Sequence, residues 1–69
     1  MHLAIGIDTG GTFTDAVVVD LDTEQVLCKA KALTTREDLR LGIEQAFRGL
    51  DHALFPEIKL VSLSTTLAT

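Results

Sequence analysis

Cysteine occurs once in this 69-residue chain, at Cys28, so no internal disulfide can staple it. A free thiol agrees with a reducing, cytoplasmic setting. Basic residues are also few, with six Lys and Arg against ten Asp and Glu and a formal net charge of −4. They are scattered, which excludes the clustered cationic surface that a nucleic-acid binder needs. No apolar run approaches the ~20 residues of a membrane-spanning helix, and the N-terminus lacks the basic start and long apolar stretch of a signal peptide. Repeats and low-complexity segments are absent. His2 and His52 have no second ligand at metal-binding spacing, so both read as structural. Proline is present once, at Pro56, where it stops a helix from running on.

Apolar residues are plentiful by contrast, at 46% of the chain. That is more than a single small domain readily covers, so part of the surface is expected to meet further protein. The stretch Ile58 to Ser64 reads as a strand, and Thr65-Thr66-Leu67-Ala68-Thr69 runs on without a helix, turn or charged tail. Residues 1–69 are therefore expected to be the N-terminal part of a longer protein.

Residues 3–8 and 14–20 read as two strands, the second dense in β-branched residues. A polar turn at Leu21-Asp22-Thr23-Glu24 leads to a third strand from Gln25 to about Leu33. Val26, Cys28, Ala30 and Ala32 are expected on one face there, with Lys29 and Lys31 on a wet face suited to a sheet edge. Cys28 on that apolar face reads as a small buried thiol. Thr34 with Glu37, and Thr35 with Asp38, have capping-box spacing, which predicts a helix from near Arg36. Leu39, Ile43, Ala46, Phe47, Leu50 and Leu54 form its apolar stripe, and His52 sits near its end. The order is β-β-β-α-β, a mixed sheet in which the fourth strand lies parallel to the first and beside it.

Chemistry concentrates between the first two strands, in Asp8-Thr9-Gly10-Gly11-Thr12-Phe13-Thr14-Asp15. Adjacent glycines allow positive φ and carry no Cβ, so amide N–H groups can converge on an anion. Thr9, Thr12 and Thr14 add hydroxyl donors. Asp8, ending the first strand, suits a hydrated Mg²⁺ set against a phosphate. The combination predicts a phosphate-binding hairpin, although Gly-Gly between two strands is also an ordinary turn signal. Asp15 is a candidate catalytic carboxylate, with a turn cap or an edge charge as the plainer reading.

The strand, Asp-x-Gly-Gly-Thr hairpin, further strands and helix together resemble the opening of the actin, hexokinase and Hsp70 class of ATP-binding folds, with ribonuclease-H-like topology. Gly6 to Asp15, Lys31 to Thr35 and Ser64 to Thr69 resemble, more narrowly, the N-terminal region of the hydantoinase A/5-oxoprolinase family. That resemblance spans essentially the whole chain. It implies an ATP-dependent hydrolase that opens a cyclic amide such as a hydantoin or 5-oxoproline, usually with a B-type subunit or domain. In that scheme Thr9, Gly10, Gly11, Thr12 and Thr14 bind phosphate, and Asp8 positions Mg²⁺ through water. Thr65 and Thr66 match a segment leading towards the cleft. A sugar-type kinase, a nucleotide-dependent switch and a scaffold with a vestigial hairpin stay open as alternatives. For Thr34-Thr35, helix capping is the preferred reading over substrate contact.

Overall fold

A computed structural model of the chain describes residues 2–35 and 37–65. Four strands, β1 (Leu3–Thr9), β2 (Phe13–Asp20), β3 (Gln25–Leu33) and β4 (Ile58–Thr65), form one mixed sheet in the order β3-β2-β1-β4. Two antiparallel hairpins link β1 to β2 and β2 to β3, and β4 lies parallel to β1. The crossover contains helix α1 (Leu39–Arg48) and a 3-10 segment, His52–Glu57. This is the expected strand order and pairing, within a small α/β architecture.

Period-two alternation assigns the two faces of the sheet. Leu3, Ile5 and Ile7 of β1, with Ala16 and Val18 of β2, turn towards α1, where Ala46 and Leu50 complete the buried core. Each large apolar side chain buried there contributes about 1.5–3 kcal/mol. Cys28, Ala30 and Ala32 extend the same face onto β3 and are partly buried. Among the described residues no helix covers the opposite face. That face carries Asp8, Asp15, Val17, Lys29 and Lys31 by register.

Close approach of α1 to the sheet depends on two glycines. A Cβ on Gly42 would stand 2.9 Å from the Leu33 carbonyl oxygen and 3.1 Å from Thr14 Oγ1. One on Gly49 would meet the Ala30 Cβ at 2.8 Å. The helix covers β2 and β3 more than β1, and β4 lies beyond it. Leu60, Val61 and Leu63 on that strand are each more than half exposed.

Several local expectations are corrected. The helix begins at Leu39 rather than near Arg36, which is outside the described residues, because Asp38 is the N-cap. Its carboxylate accepts from the Arg40 N–H at 3.1 Å and also takes the Arg40 guanidinium, so neither threonine is the cap. The helix ends at Gly49, before Pro56, which instead lies inside the 3-10 segment. Leu54 belongs to that segment rather than to the helical stripe, and Leu39 is partly exposed. His52 starts the segment and stacks on Phe55 with ring centroids 4.6 Å apart. On β3 a bulge at Leu27 places Cys28 opposite Val18 and Val26 opposite Val19. Val26 therefore does not share the Cys28 face, as strict alternation requires, and it is exposed. Among the described residues no helix is long and apolar enough to cross a membrane.

Candidate functional site

The β1–β2 hairpin closes through one bond, from the Gly10 N–H to the Phe13 carbonyl at 2.9 Å, leaving Gly11 and Thr12 at an exposed tip. The Gly10 carbonyl is engaged elsewhere, accepting from the Thr34 hydroxyl at 2.8 Å. A tight two-residue hairpin turn of the mirror-image type would require positive φ at both central residues. No described glycine has positive φ, and the one positive value, 60°, belongs to Glu24 in the β2–β3 turn. The positive φ that the glycines permit is therefore not used here, and what they contribute is the absence of a Cβ.

Thr34 makes two further bonds to the hairpin. Its N–H donates to the Thr12 carbonyl at 2.8 Å, and its Oγ1 lies 3.0 Å from Thr14 Oγ1. The single Thr34 hydroxyl proton goes to Gly10, so Thr14 is the donor of that last pair. The hydroxyl chain runs from Thr14 to Thr34 to the Gly10 carbonyl. The N–H groups of Gly11 and Thr12 have no acceptor among the described residues.

Register divides the candidate residues between the faces of the sheet. Asp8 and Asp15 are Cα partners across β1 and β2, and both are exposed on the open face. Asp15 pairs with Lys31 at 3.8 Å, and the Lys31 ammonium stands 4.9 Å from the Phe13 ring centroid. Ser64, the β4 partner of Asp8, has its hydroxyl 3.5 Å from Asp8 Oδ1. A shallow cavity of about 240 Å³ is lined there by Gly6, Asp8, Asp15, Val17, Ser62 and Ser64. A neighbouring one of about 390 Å³ includes Lys29 and Lys31.

Thr9 and Thr14 face the helix instead and are buried, at 2% and 0% exposure. Thr14 is committed to Thr34, while Thr9 Oγ1 has no hydrogen-bond partner among the described residues. Of the three threonines placed around the glycines by sequence, Thr12 alone is exposed at the tip. Thr65 is the β4 partner of Thr9, and Thr66 lies outside the described residues.

Sequence reasoning missed Ser62, Ser64 and the hairpin role of Thr34. The first two carry a usable signal. A strand parallel to β1 whose apolar Val61 and Leu63 alternate with serines must set those serines on the Asp8 face. Thr34 was masked by a competing capping pattern three residues from Glu37.

A family model described as the hydantoinase/oxoprolinase N-terminal region matches residues 4–69. Searches of curated proteins and of solved structures found no match.

Proposed function

The chain belongs to the hydantoinase/oxoprolinase N-terminal family, and on that footing we propose that it supplies the phosphate-binding hairpin of an ATP-driven hydrolase of cyclic amides. One observation carries the reading. The hairpin tip presents two amide N–H groups without acceptors, next to facing carboxylates on an uncovered sheet. Amides at such a turn favour anions, and the neighbouring carboxylates favour a cation that bridges to them.

The donor set fits a hydrated Mg²⁺ better than a metal enclosed by protein. No group of three or more His, Cys, Asp or Glu at metal-binding distance occurs among the described residues. Mg²⁺ characteristically keeps several waters and takes only one or two carboxylates besides phosphate oxygens. Asp8 would hold it through water, with the Ser64 hydroxyl between that carboxylate and the Ile7 carbonyl, 3.5 Å from each, and Asp15 opposite. Bound there, the ion would neutralise charge developing on the terminal phosphates of ATP.

Coupling to ATP answers the poor electrophilicity of a ring amide. Transfer of the terminal phosphoryl group to the ring carbonyl oxygen turns that oxygen into a leaving group. Water then adds at the carbon and the C–N bond breaks, with the nitrogen taking a proton and the carbon left as an acyl phosphate, whose carbon a second water attacks. Phosphate departs with the former carbonyl oxygen. Gly10, Gly11 and Thr12 contribute positioning of the phosphates rather than covalent chemistry. The local cavity is smaller than the ~300–1,000 Å³ of typical ligand pockets. The rest of the nucleotide and the ring would be held by further protein of the actin-like, ribonuclease-H-like class, together with a B-type subunit or domain.

The test is phosphate release by the full-length protein, with and without its B-type partner, across hydantoins, 5-oxoproline and simple sugars. Release that requires a cyclic amide, yields the ring-opened product and disappears in Asp8→Ala supports the reading. Release driven by a sugar assigns a kinase, and release without any substrate assigns a switch.

A further inference from the structure

Thr34 follows β3 and precedes α1, twenty-two residues beyond the hairpin tip in sequence, yet it makes three hydrogen bonds to that hairpin. No other described residue outside the hairpin makes a side-chain hydrogen bond to it between Gly10 and Thr14. We infer that Thr34 is a positioning residue, which sets the direction of the hairpin amides by fixing the carbonyls on the other side of the same peptide units. This rests on the phosphate-binding reading above.

The argument comes from peptide geometry. A trans peptide is planar, and its C=O and N–H point in opposite directions. Among the described residues there is no cis peptide. Thr34 Oγ1 takes the Gly10 carbonyl, so the Gly11 N–H in that same peptide unit is directed away from Thr34. The Thr34 N–H takes the Thr12 carbonyl, so the Phe13 N–H is likewise directed away from it.

Thr34 approaches from the helix side of the sheet. Its hydroxyl meets Thr14, which is buried on that side, and its Cα lies 3.4 Å from the place a Gly42 Cβ would take. The Gly11 amide therefore turns from the helix side towards the face that carries Asp8 and Asp15. Amide donors and carboxylates then address one ligand from the same side, as a magnesium-bound polyphosphate requires.

The clamp is built to be stiff. The Thr34 hydroxyl is both donor and acceptor, and linked hydrogen bonds of this kind polarise one another. Gly42 leaves no slack behind Thr14, because any Cβ there would collide with the Leu33 carbonyl. The glycines supply room for the ligand, and Thr34 supplies the orientation that positive φ does not.

The experiment uses the full-length protein, its Thr34→Val and Thr34→Ser variants, and inorganic tripolyphosphate with Mg²⁺ as a base-free probe beside MgATP. Calorimetry should show binding weakened about tenfold in Thr34→Val, which removes both hydrogen bonds of the hydroxyl. Thr34→Ser, which keeps the hydroxyl, should stay within about threefold of the native protein. Amide exchange on the native protein gives a measurement that does not depend on a variant folding. The Thr34 N–H should be protected throughout, and the Gly11 N–H should become protected when the polyphosphate is added. Native affinity in Thr34→Val, or an unprotected Thr34 amide, overturns the positioning role and leaves the phosphate site standing. Failure of the native protein to bind either probe overturns both.

Discussion

Asp8 and Asp15 face each other across β1 and β2 as direct Cα partners, both exposed, with the Ser64 hydroxyl 3.5 Å from Asp8. Like charges placed opposite one another in an antiparallel ladder are destabilising, so this arrangement costs stability without a cation. Lys31 pairs with Asp15, at 3.8 Å, rather than with Asp8. Asp8→Asn should therefore raise stability by a few tenths of a kcal/mol in metal-free buffer, after allowance for solvent screening. Mg²⁺ with polyphosphate should stabilise the native protein and should not stabilise this variant. Urea denaturation with and without those ligands measures both.

Thr9 offers a second case in which stability and use diverge. Its hydroxyl is buried without a partner among the described residues, and an unsatisfied buried group bears a desolvation cost of about 1–3 kcal/mol. Thr9→Val should be neutral or stabilising by up to about 1 kcal/mol, and a β-branched replacement suits the strand. Loss of polyphosphate affinity in a well-folded Thr9→Val would show that the hydroxyl serves the ligand.

Much of this fold is legible in the sequence because period and turn chemistry agree. Leu3, Ile5 and Ile7 alternate as a half-buried strand should, and the crossover after β3 leaves β4 no easier place than beside β1. Asp8 and the glycines stand out for the same reason, lying between two clear strands. Thr34 was not legible in its role. Its spacing to Glu37 satisfies a capping pattern, and only the tertiary path of β3 brings it to Gly10. The bulge at Leu27 was equally hidden, since nothing in Gln25-Val26-Leu27-Cys28 marks an extra residue. The split of Thr9 and Thr14 from Asp8 and Asp15 was readable from alternation alone and was obscured by treating the motif as one cluster.

Gly42 reverses the usual helix rule. Replacing a mid-helix glycine by alanine normally gains about 1 kcal/mol. Here the new Cβ would lie 2.9 Å from a backbone oxygen and 3.1 Å from Thr14 Oγ1. Gly42→Ala should be destabilising by about 1–3 kcal/mol as the helix is forced outward. The Thr14–Thr34 pair should loosen with it, seen as faster exchange of the Thr34 amide. Alanine at this position with native stability would mean that α1 does not sit against the clamp.

The helix start predicts a pH dependence. Hydrogen bonding from the Arg40 guanidinium, followed by that from the Arg40 backbone N–H, holds Asp38 below its ordinary value of 3.8. The lowered value means the charged cap contributes fully above the ordinary value and is lost as pH falls through the folded one. Asp38→Asn should therefore flatten the acid limb of the stability curve below about pH 4, leaving the neutral range with a constant offset. Thermal melts from pH 2 to 7 on both proteins measure this, and parallel acid limbs would remove Asp38 as the cause.

The decisive measurement follows the oxygen. A hydantoin or 5-oxoproline labelled with ¹⁸O at the scissile carbonyl is incubated with the full-length protein, a B-type subunit and MgATP, and the phosphate is examined by mass spectrometry. The proposed route, in which the terminal phosphoryl group passes from ATP to that oxygen and ADP leaves, should place the label in inorganic phosphate, one per ring opened, with neither product formed by Asp8→Ala. Ring opening without phosphate release, or with every label retained in the opened product, would rule out the proposed route.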